Sequence, residues 1–209
     1  MSSGYIAAAS FAQRQLRYLD LLQPGRSDYA LPLLVELSAP IDETRLRQAF
    51  NAVIQRHDVL RASFPMVDDF PVQAIHDDLI VPLPRVDIPV TTRAQWRQDL
   101  NTALSQLASL PFDLDNGPVV SARIFVPSHP ASAGCGLALG VVFHHAVADG
   151  SSLPLFLDDL VAAYDATLTG AAPGWPELPL QYPDYADWEQ EQFGMPDAPA
   201  LADALRYWR

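Results

Sequence analysis

The stretch LALGVVFHHAVADGSSLPLFLDDLVAAY, residues 137–164, joins an apolar run, a short polar turn and an amphipathic segment in direct succession. The apolar run over 137–143 is typical of a buried strand, and the apolar residues after Gly150 recur at helical spacing. Pro154 falls in the first turn of that helix, where its missing N–H removes no hydrogen bond. We expect the buried face of the helix to consist of Leu153, Phe156, Leu157, Leu160, Val161 and Tyr164.

Strands and helices alternate irregularly on both sides of this unit. Strands are predicted over 31–37, 60–66 and 119–125, with shorter extended pieces over 72–75 and 83–86. Helices are predicted over 10–22, from Asp42 to about His57, from Thr91 or Thr92 to about Leu107, over 182–193 and over 201–209. In the first helix we expect an apolar side made of Phe11, Leu16, Leu19 and Leu22. A surface loop is predicted over 128–136 and a Pro/Gly-rich connector over 170–179. This order of elements favours an α/β sandwich with a mixed sheet.

Composition excludes several classes of function. The formal charge is −12 and the pI is near 4.5, so the surface repels nucleic acid. All 13 basic residues are arginines, and the absence of lysine excludes both a Walker-type phosphate loop and Schiff-base catalysis. Cys135 is the single cysteine, which excludes an intramolecular disulfide and a cysteine-based zinc site.

The sequence shows no recognisable export signal. Its first residues lack the basic region and the apolar core of a signal peptide. No apolar run approaches the roughly 20 residues that a membrane span needs. We therefore expect a cytoplasmic protein that contacts neither a membrane nor nucleic acid.

The segment HHAVADG, residues 144–150, concentrates the reactive side chains. Neighbouring residues of an extended segment point to opposite sides, so one histidine can face a cleft while the other packs inward. A histidine suits proton transfer near neutral pH because its ordinary pKa is about 6.5. Asp149 lies four residues after His145, and we expect Gly150 to permit a sharp turn into the following helix.

Three other interpretations of this segment stay open at this point. Metal binding by His144, His145 and Asp149 conflicts with the divergent directions of adjacent histidines on a strand. A packed histidine, with Asp149 capping the turn, would be purely structural. Ser151 or Ser152 as a nucleophile lacks the surrounding G-x-S-x-G elbow, and we favour these serines as caps of the helix.

HHAVADG resembles the HHxxxDG signature of the condensation domains of nonribosomal peptide synthetases, within the chloramphenicol-acetyltransferase-like superfamily. Four further stretches resemble motifs of the same family in the same order: SFAQRQLRYL at 10–19, RHDVLRASF at 56–64, PFDLDNGPVVSARIF at 111–125 and YPDYADW at 182–188. Asp58 and Ala62 depart from the glutamate and threonine that are usual in the second of these motifs. The resemblance covers essentially the whole chain.

The resemblance implies an α/β fold of the chloramphenicol-acetyltransferase-like type, a two-layer sandwich with helices packed on a mixed sheet. It also implies formation of an amide bond between an acyl or peptidyl donor thioester and an aminoacyl acceptor thioester. Both substrates ride on phosphopantetheine arms of carrier proteins. Peptidyl or acyl carrier domains are therefore expected partners, and no directly bound cofactor or metal is expected.

Roles for the residues of the signature follow from the same resemblance. His145 matches the histidine proposed as a general base or as a positioning and electrostatic group. Gly150 matches a glycine whose backbone N–H is proposed to steady the oxyanion. His144 and Asp149 are expected to be structural, with Asp149 paired to Arg61.

The residues of the other motifs have plainer expected roles. Arg56 is interpreted as a cation at a helix C-terminus and His57 as a partly buried helix-end residue. Tyr182, Tyr185 and Trp188 are expected to pack in the core or between two lobes.

The motifs of the family's C-terminal lobe are absent from the sequence. Residues 1–209 are therefore interpreted as an N-terminal lobe, with 170–209 as a connector and helices that lead to a missing C-terminal lobe. We expect such a lobe to be inactive alone and to expose an apolar interlobe face through which two copies can pair. An ester-forming acyltransferase of the same superfamily, an epimerisation domain and a non-catalytic lobe that docks a carrier protein remain as alternatives.

Overall fold

The computed structural model describes residues 4–37, 40–128, 135–194 and 198–208. Its strands are β1 (Gly4–Ala8), β2 (Ala30–Glu36), β3 (Ala62–Ser63), β4 (Met66–Val67), β5 (Phe70–His76), β6 (Arg85–Ile88), β7 (Val120–Pro127) and β8 (Ala138–His144). Its helices are α1 (Phe11–Leu22), α2 (Glu43–Arg56), α3 (Arg93–Ala108), α4 (Ser152–Thr169), α5 (Tyr182–Phe193) and α6 (Pro199–Trp208). The loop predicted over 128–136 lies mostly outside the described residues.

The larger sheet has the strand order β2-β8-β7-β6. Its pairs are antiparallel except β6 with β7, which run parallel, so the predicted mixed sheet is confirmed. β8 lies inside this sheet and every one of its residues is buried, as its apolar sequence predicts. Pro32 is tolerated in β2 because that strand lies at the edge.

Helices cover both faces of this sheet, and the alternation of side chains along β8 decides which residues meet them. Leu139, Val141 and Phe143 join the main core, in which the rings of Phe143 and Phe50 both meet the ring of Phe156 edge-on. On the other face, Ala138 lies in a smaller cluster built around Trp96 and Leu100 of α3, together with Phe125. A strand buried on both faces is positioned rigidly. It ends at His144, and the loop after it begins with His145.

A smaller sheet was not predicted. β5 pairs with β1, β3 and β4, all antiparallel. The predicted strand over 60–66 is interrupted, because the chain forms a 3₁₀ turn over Asp58–Arg61 and pairs as a strand only at Ala62–Ser63 and again from Met66. Between these two pieces Phe64 N donates to Leu114 O and Pro65 has no N–H to donate, so the ladder breaks before β4.

The helix starts follow the predicted capping residues in two cases. Asp42 accepts hydrogen bonds from the backbone N–H groups of Thr44 and Arg45 at the start of α2. Thr92 accepts one from Gln95 N at the start of α3. Both side chains satisfy donors that the first turn of a helix leaves without an intrahelical partner.

The predicted apolar side of α1 packs against the core only at Leu16, and its other three residues, Phe11, Leu19 and Leu22, are exposed. Its buried residues are Gln13 and Arg17, whereas the side chain of Leu22 is 77% exposed. The two polar side chains are buried because they are paired: Gln13 hydrogen-bonds to neighbouring amides, and Arg17 forms ion pairs with two aspartates. On α4, the predicted burial of Val161 is likewise wrong, and Ala163 is buried instead.

None of the helices in the described ranges combines the length and hydropathy that a membrane span requires.

Candidate active site

A cleft of about 450 Å³ opens beside the loop that follows β8. Its walls come from α1, the 3₁₀ turn after α2, the loop itself, the first turns of α4 and the segment that leads into α5. Most of the lining is apolar, and the polar groups that line it are His57, His145, Asp149, Ser152, Gln181 and Tyr182. Such a mainly apolar cavity with a few polar groups is typical of a site for small organic groups.

The side chains of His144, the last residue of β8, and His145, the first residue after it, lie on opposite sides of the chain. His144 N donates to Val119 O at 2.9 Å, and His145 N donates to Tyr29 O at 2.8 Å. These bonds continue the pairing of β8 with its two neighbours past the end of the strand. The His144 side chain is buried, and the His145 side chain is exposed and lines the cleft. The alternation predicted from the sequence therefore holds at this position.

Two aromatic rings, those of Tyr29 and Phe112, lie near the His144 ring. Its Nδ1 accepts a hydrogen bond from Ala146 N at 3.1 Å, and its ring lies 5.8 Å from that of Phe112. Burial, together with the nearby His145, lowers the pKa of His144 to about 4. His144 is thus neutral at pH 7 and shapes the loop by accepting a hydrogen bond.

Titration of His144 is expected to make the fold sensitive to acid. In the unfolded chain His144 is protonated below about pH 6.5, whereas in the folded chain it stays neutral down to about pH 4. The free energy of unfolding therefore falls as the pH is lowered across that interval. At about 1.4 kcal/mol per pH unit, the loss amounts to about 3 kcal/mol. Urea denaturation at a series of pH values should show this slope in the native chain and not in His144→Gln. His145→Gln serves as the exposed control and should keep most of the slope; equal slopes in all three proteins would contradict the prediction.

Asp149 caps the start of α4. Its Oδ1 accepts hydrogen bonds from Ser152 N at 2.9 Å, Ser151 Oγ at 2.8 Å and Ser152 Oγ at 2.7 Å. These donors, first of all the Ser152 hydroxyl, lower the pKa of Asp149 to about 2. The expectation that the serines cap the helix is wrong, because the carboxylate accepts the backbone bond and the serine hydroxyls donate to it.

The expected pair between Asp149 and Arg61 is also wrong. The Arg61 guanidinium forms an ion pair with Asp58, lies 3.6 Å from an Asp77 oxygen and donates to His76 O at 3.0 Å. Asp58 precedes Arg61 by three residues in the 3₁₀ turn, so its carboxylate lies within easy reach. The two residues belong to separate clusters, Arg61 beside the small sheet and Asp149 at the start of α4.

A double-mutant cycle tests this separation. Asp149→Ala is expected to cost about 1 kcal/mol through the lost cap, and Arg61→Ala more, because it leaves carboxylates without their cation. The two costs should add within about 0.5 kcal/mol, as they do for residues that share no partner. The free energies of unfolding of the two single variants and the double variant give the coupling. A coupling energy above about 1 kcal/mol would show that Asp149 and Arg61 interact directly, against this prediction.

Gly150 is exposed, and its φ lies outside the left-handed region, so the turn into α4 does not require glycine for its backbone conformation. A Cβ built at this position would meet nothing within 4 Å. Asp149 and Ser152 line the cleft and Gly150 does not. Within the described residues, the Gly150 N–H has no hydrogen-bond acceptor.

A second histidine of the cleft is held by an aspartate that the sequence did not single out. Asp159 of α4 lies 2.7 Å from His57 Nε2 and 3.0 Å from Arg56 Nε. Arg56 also stacks on Trp175 at 4.8 Å and donates to Pro176 O. Arg56 and His57 thus do more than end α2, since they join it to α4 and to the connector. No local pattern marks Asp159, because its partners lie about a hundred residues earlier.

The aromatic residues of α5 divide into two groups. Tyr182 lines the cleft, and its hydroxyl lies 3.1 Å from Ser10 Oγ. Tyr185 and Trp188 are 41% and 50% exposed, with their ring centroids 5.8 Å apart. Packing within the described chain therefore does not bury them, and their expected role between two lobes stays a prediction.

Across the part of the chain that the structure describes, no group of three His, Cys, Asp or Glu side chains is arranged to hold a metal ion. The divergence of His144 and His145 agrees with this.

Comparison with protein families decides the classification. The family model named Condensation domain matches residues 5–209. The chain belongs to the condensation domain family. The resemblance drawn from the five sequence motifs is thus confirmed, and so is the α/β fold that it implies.

Relatives of this condensation domain are large synthetases. The chain is 36% identical over 203 residues to phosphinothricin tripeptide synthetase PhsC of Streptomyces viridochromogenes. It is 38% identical over 202 residues to CymA of Salinispora arenicola, a probable non-canonical nonribosomal peptide synthetase. Each alignment covers 96% of this chain but only 18% and 2% of the respective relative.

Solved structures show the same fold over about half of their length. The starter condensation domain of rhizomide synthetase RzmA superimposes with a TM-score of 0.80 at 20% identity, over 98% of this chain and 47% of that one. The X-domain from teicoplanin biosynthesis, solved in complex with OxyB, gives a TM-score of 0.79 at 29% identity, over 100% of this chain and 44% of that one. This condensation domain chain therefore corresponds to somewhat less than half of each of those chains.

Proposed function

We propose that this chain is the N-terminal lobe of an enzyme that joins a carrier-bound acyl or peptidyl donor to a carrier-bound aminoacyl acceptor through an amide bond. The observation that carries the proposal is the exposed imidazole of His145, held at the end of the buried strand β8 and directed to a largely apolar cleft. Membership of the condensation domain family and relatives that are peptide synthetases support the same reaction.

The chemistry requires little from the protein beyond placement. The acceptor amine attacks the donor thioester carbonyl; a C–N bond forms, the C–S bond breaks, and the thiol of the donor arm leaves. His145 either accepts the proton that the amine loses and passes it to the departing sulfur, or orients the amine while that proton moves to the sulfur. The first role, that of a general base, is worth about 10²–10⁴-fold. Two tethered substrates held together contribute the rest, because their reaction becomes effectively unimolecular.

Negative charge develops on the carbonyl oxygen during the attack. The Gly150 N–H, which lacks an acceptor in the described chain, is our candidate donor to that oxygen. Asp149 holds the turn before α4 through its three hydrogen bonds and takes no part in proton transfer. We assign no cofactor to the chain itself, since the phosphopantetheine arms belong to the carrier proteins.

A second lobe completes the enzyme in this proposal. The chain matches 44–47% of the length of the solved chains. Closure of the cleft by a C-terminal lobe would exclude water and strengthen every electrostatic contact inside it. The exposed rings of Tyr185 and Trp188 on α5 support a contact with such a lobe. The alternative is that these rings contact a second copy of this chain. We place the reaction in the cytoplasm.

The deciding experiment is a condensation assay with donor and acceptor loaded on carrier proteins. It compares the chain alone with the chain completed by a C-terminal lobe, either its own or one from a relative, and offers an amine or an alcohol as acceptor. Amide product from the completed protein alone is the expected result. Ester product would instead favour the alcohol-using acyltransferase. No product from a folded complex would remove the proposal.

One observation favours a different function. The X-domain, 29% identical to this chain, was solved as a complex with another protein, OxyB. A lobe of this kind could hold a partner protein without performing chemistry. Binding of a loaded carrier protein by calorimetry, with no turnover in the completed protein, is the outcome that would identify such a docking module.

A further inference from the structure

Two buried glutamines connect the small sheet to the histidine loop. Gln13 of α1 is 1% exposed and Gln73 of β5 is 0% exposed. Gln13 Nε2 donates to Gln73 Oε1 at 3.2 Å and to Ala146 O at 3.1 Å, and Gln73 Nε2 donates to Ala8 O at 2.7 Å. Buried amides persist where their hydrogen bonds are made, and these two are paired with each other and with backbone groups.

The orientation of the Gln13 amide follows from its neighbours. Gln13 Oε1 accepts a hydrogen bond from Ser10 N at 2.9 Å, so the Nε2 group must be the one that faces Gln73 and Ala146. Both hydrogens of Nε2 are then used, one by each oxygen. Ser10 and Gln13 also form the capping box of α1, which fixes the rotamer of the Gln13 side chain against its own helix.

The position of His145 depends on the backbone around it. No hydrogen bond is made by its imidazole to any of the described residues, so the ring is placed by the loop that carries it. Within the described ranges, three hydrogen bonds hold the backbone of residues 144–146 from other elements: those to Val119 O and Tyr29 O, made by backbone N–H groups, and the one from Gln13 to Ala146 O. Only the last comes from a side chain.

We propose that Gln13 is a positioning residue for His145, acting through the carbonyl of Ala146. The bond fixes the Ala146–Val147 peptide plane, one residue beyond His145, and so limits the backbone conformations through which the loop can direct the imidazole into the cleft. Gln73 supports the Gln13 amide from the far side without contacting the loop. The effect on turnover rests on the function proposed above, whereas the placement of the ring does not.

The two glutamines provide a matched pair of variants. Gln13→Met and Gln73→Met both replace a buried amide by an unbranched apolar chain of similar size, and only the first removes the bond to Ala146. In the full condensation enzyme, we expect Gln13→Met to lower kcat by about 10- to 100-fold, since a displacement near 1 Å is worth about 100-fold. The KM for the loaded carriers should stay within about twofold, and Gln73→Met should keep kcat within about threefold.

A second readout does not depend on catalysis. The ¹H–¹³C NMR signal of the His145 ring should shift or split in Gln13→Met and stay unchanged in Gln73→Met. If Gln13→Met does not fold, Gln13→Asn is used instead. It keeps an amide on a side chain that is one methylene shorter, and kcat and the His145 NMR signal are measured in the same way. Equal losses of kcat in the two methionine variants, or an unchanged His145 signal in the Gln13 variant, would overturn the proposal. Full turnover in His145→Ala would instead remove the proposed function and leave the NMR result to decide the placement.

Discussion

His145→Ala is expected to lower the turnover of carrier-bound substrates by about 10²–10⁴-fold, the range that a general base contributes. The free energy of unfolding should change by less than about 0.5 kcal/mol, because the side chain is exposed and makes no hydrogen bond to the described residues. Single-turnover rates with both carriers loaded, measured beside urea denaturation of the same protein, separate the two effects.

A companion variant distinguishes the two roles considered for His145. His145→Gln keeps a polar side chain that can orient the amine but cannot accept its proton at neutral pH. If His145 acts as a base, the glutamine variant should be as slow as the alanine variant. If His145 only positions the amine, the glutamine variant should recover a large part of the rate. A normal rate in both variants would place the chemistry elsewhere.

Asp159→Ala is expected to cost the largest amount of stability among single changes near the site, about 2–4 kcal/mol. The change leaves Arg56 and His57 without the carboxylate that they share, and the side chains of Arg56 and Asp159 are only 11% and 18% exposed. Removing one member of a buried pair costs about 3–5 kcal/mol, and residual contact with water lowers that figure. Chemical denaturation of the variant measures the loss.

The neighbouring Asp158 supplies the control for this change. It lies on the same helix with an exposed side chain, so Asp158→Ala should stay within about 0.5 kcal/mol of the native chain. Asp159→Asn, which keeps the shape and removes the charge, should fall between the two. Indistinguishable effects of Asp158→Ala and Asp159→Ala would mean that the link between α2 and α4 adds nothing to stability.

Long, periodic or uniformly apolar segments could be read from the sequence. β8 shows its burial in seven consecutive residues, and α2 shows both its cap at Asp42 and its apolar stripe. The opposite placement of His144 and His145 also follows from local geometry alone. In each of these cases the prediction depends on residues within the element itself. It does not require knowing which other element packs against it.

Most of the failures depend on a partner that lies far away in the chain. β1 is a strand only because β5 lies beside it, and Gln13 is buried only because Gln73 and Ala146 accept its hydrogens. A hydrophobic pattern ranks a glutamine as exposed, so the burial of Gln13 on α1 was not predicted. The Arg61 error differs, because its partner Asp58 is three residues away and an i, i+3 pair could have been weighed.

The strand order of the larger sheet has a consequence for how the chain folds as it leaves the ribosome. Ala30 pairs with His144, more than a hundred residues later, and β8 inserts between β2 and β7, which both precede it in the sequence. At a synthesis rate of about 5–20 residues per second, roughly ten seconds pass between the synthesis of β2 and that of its partner strand β8. The β1–β5 ladder can close earlier because all its residues are made by His76. We therefore expect nascent chains to acquire the small sheet first and the histidine loop late, with the apolar edge of β2 available to chaperones in the interval.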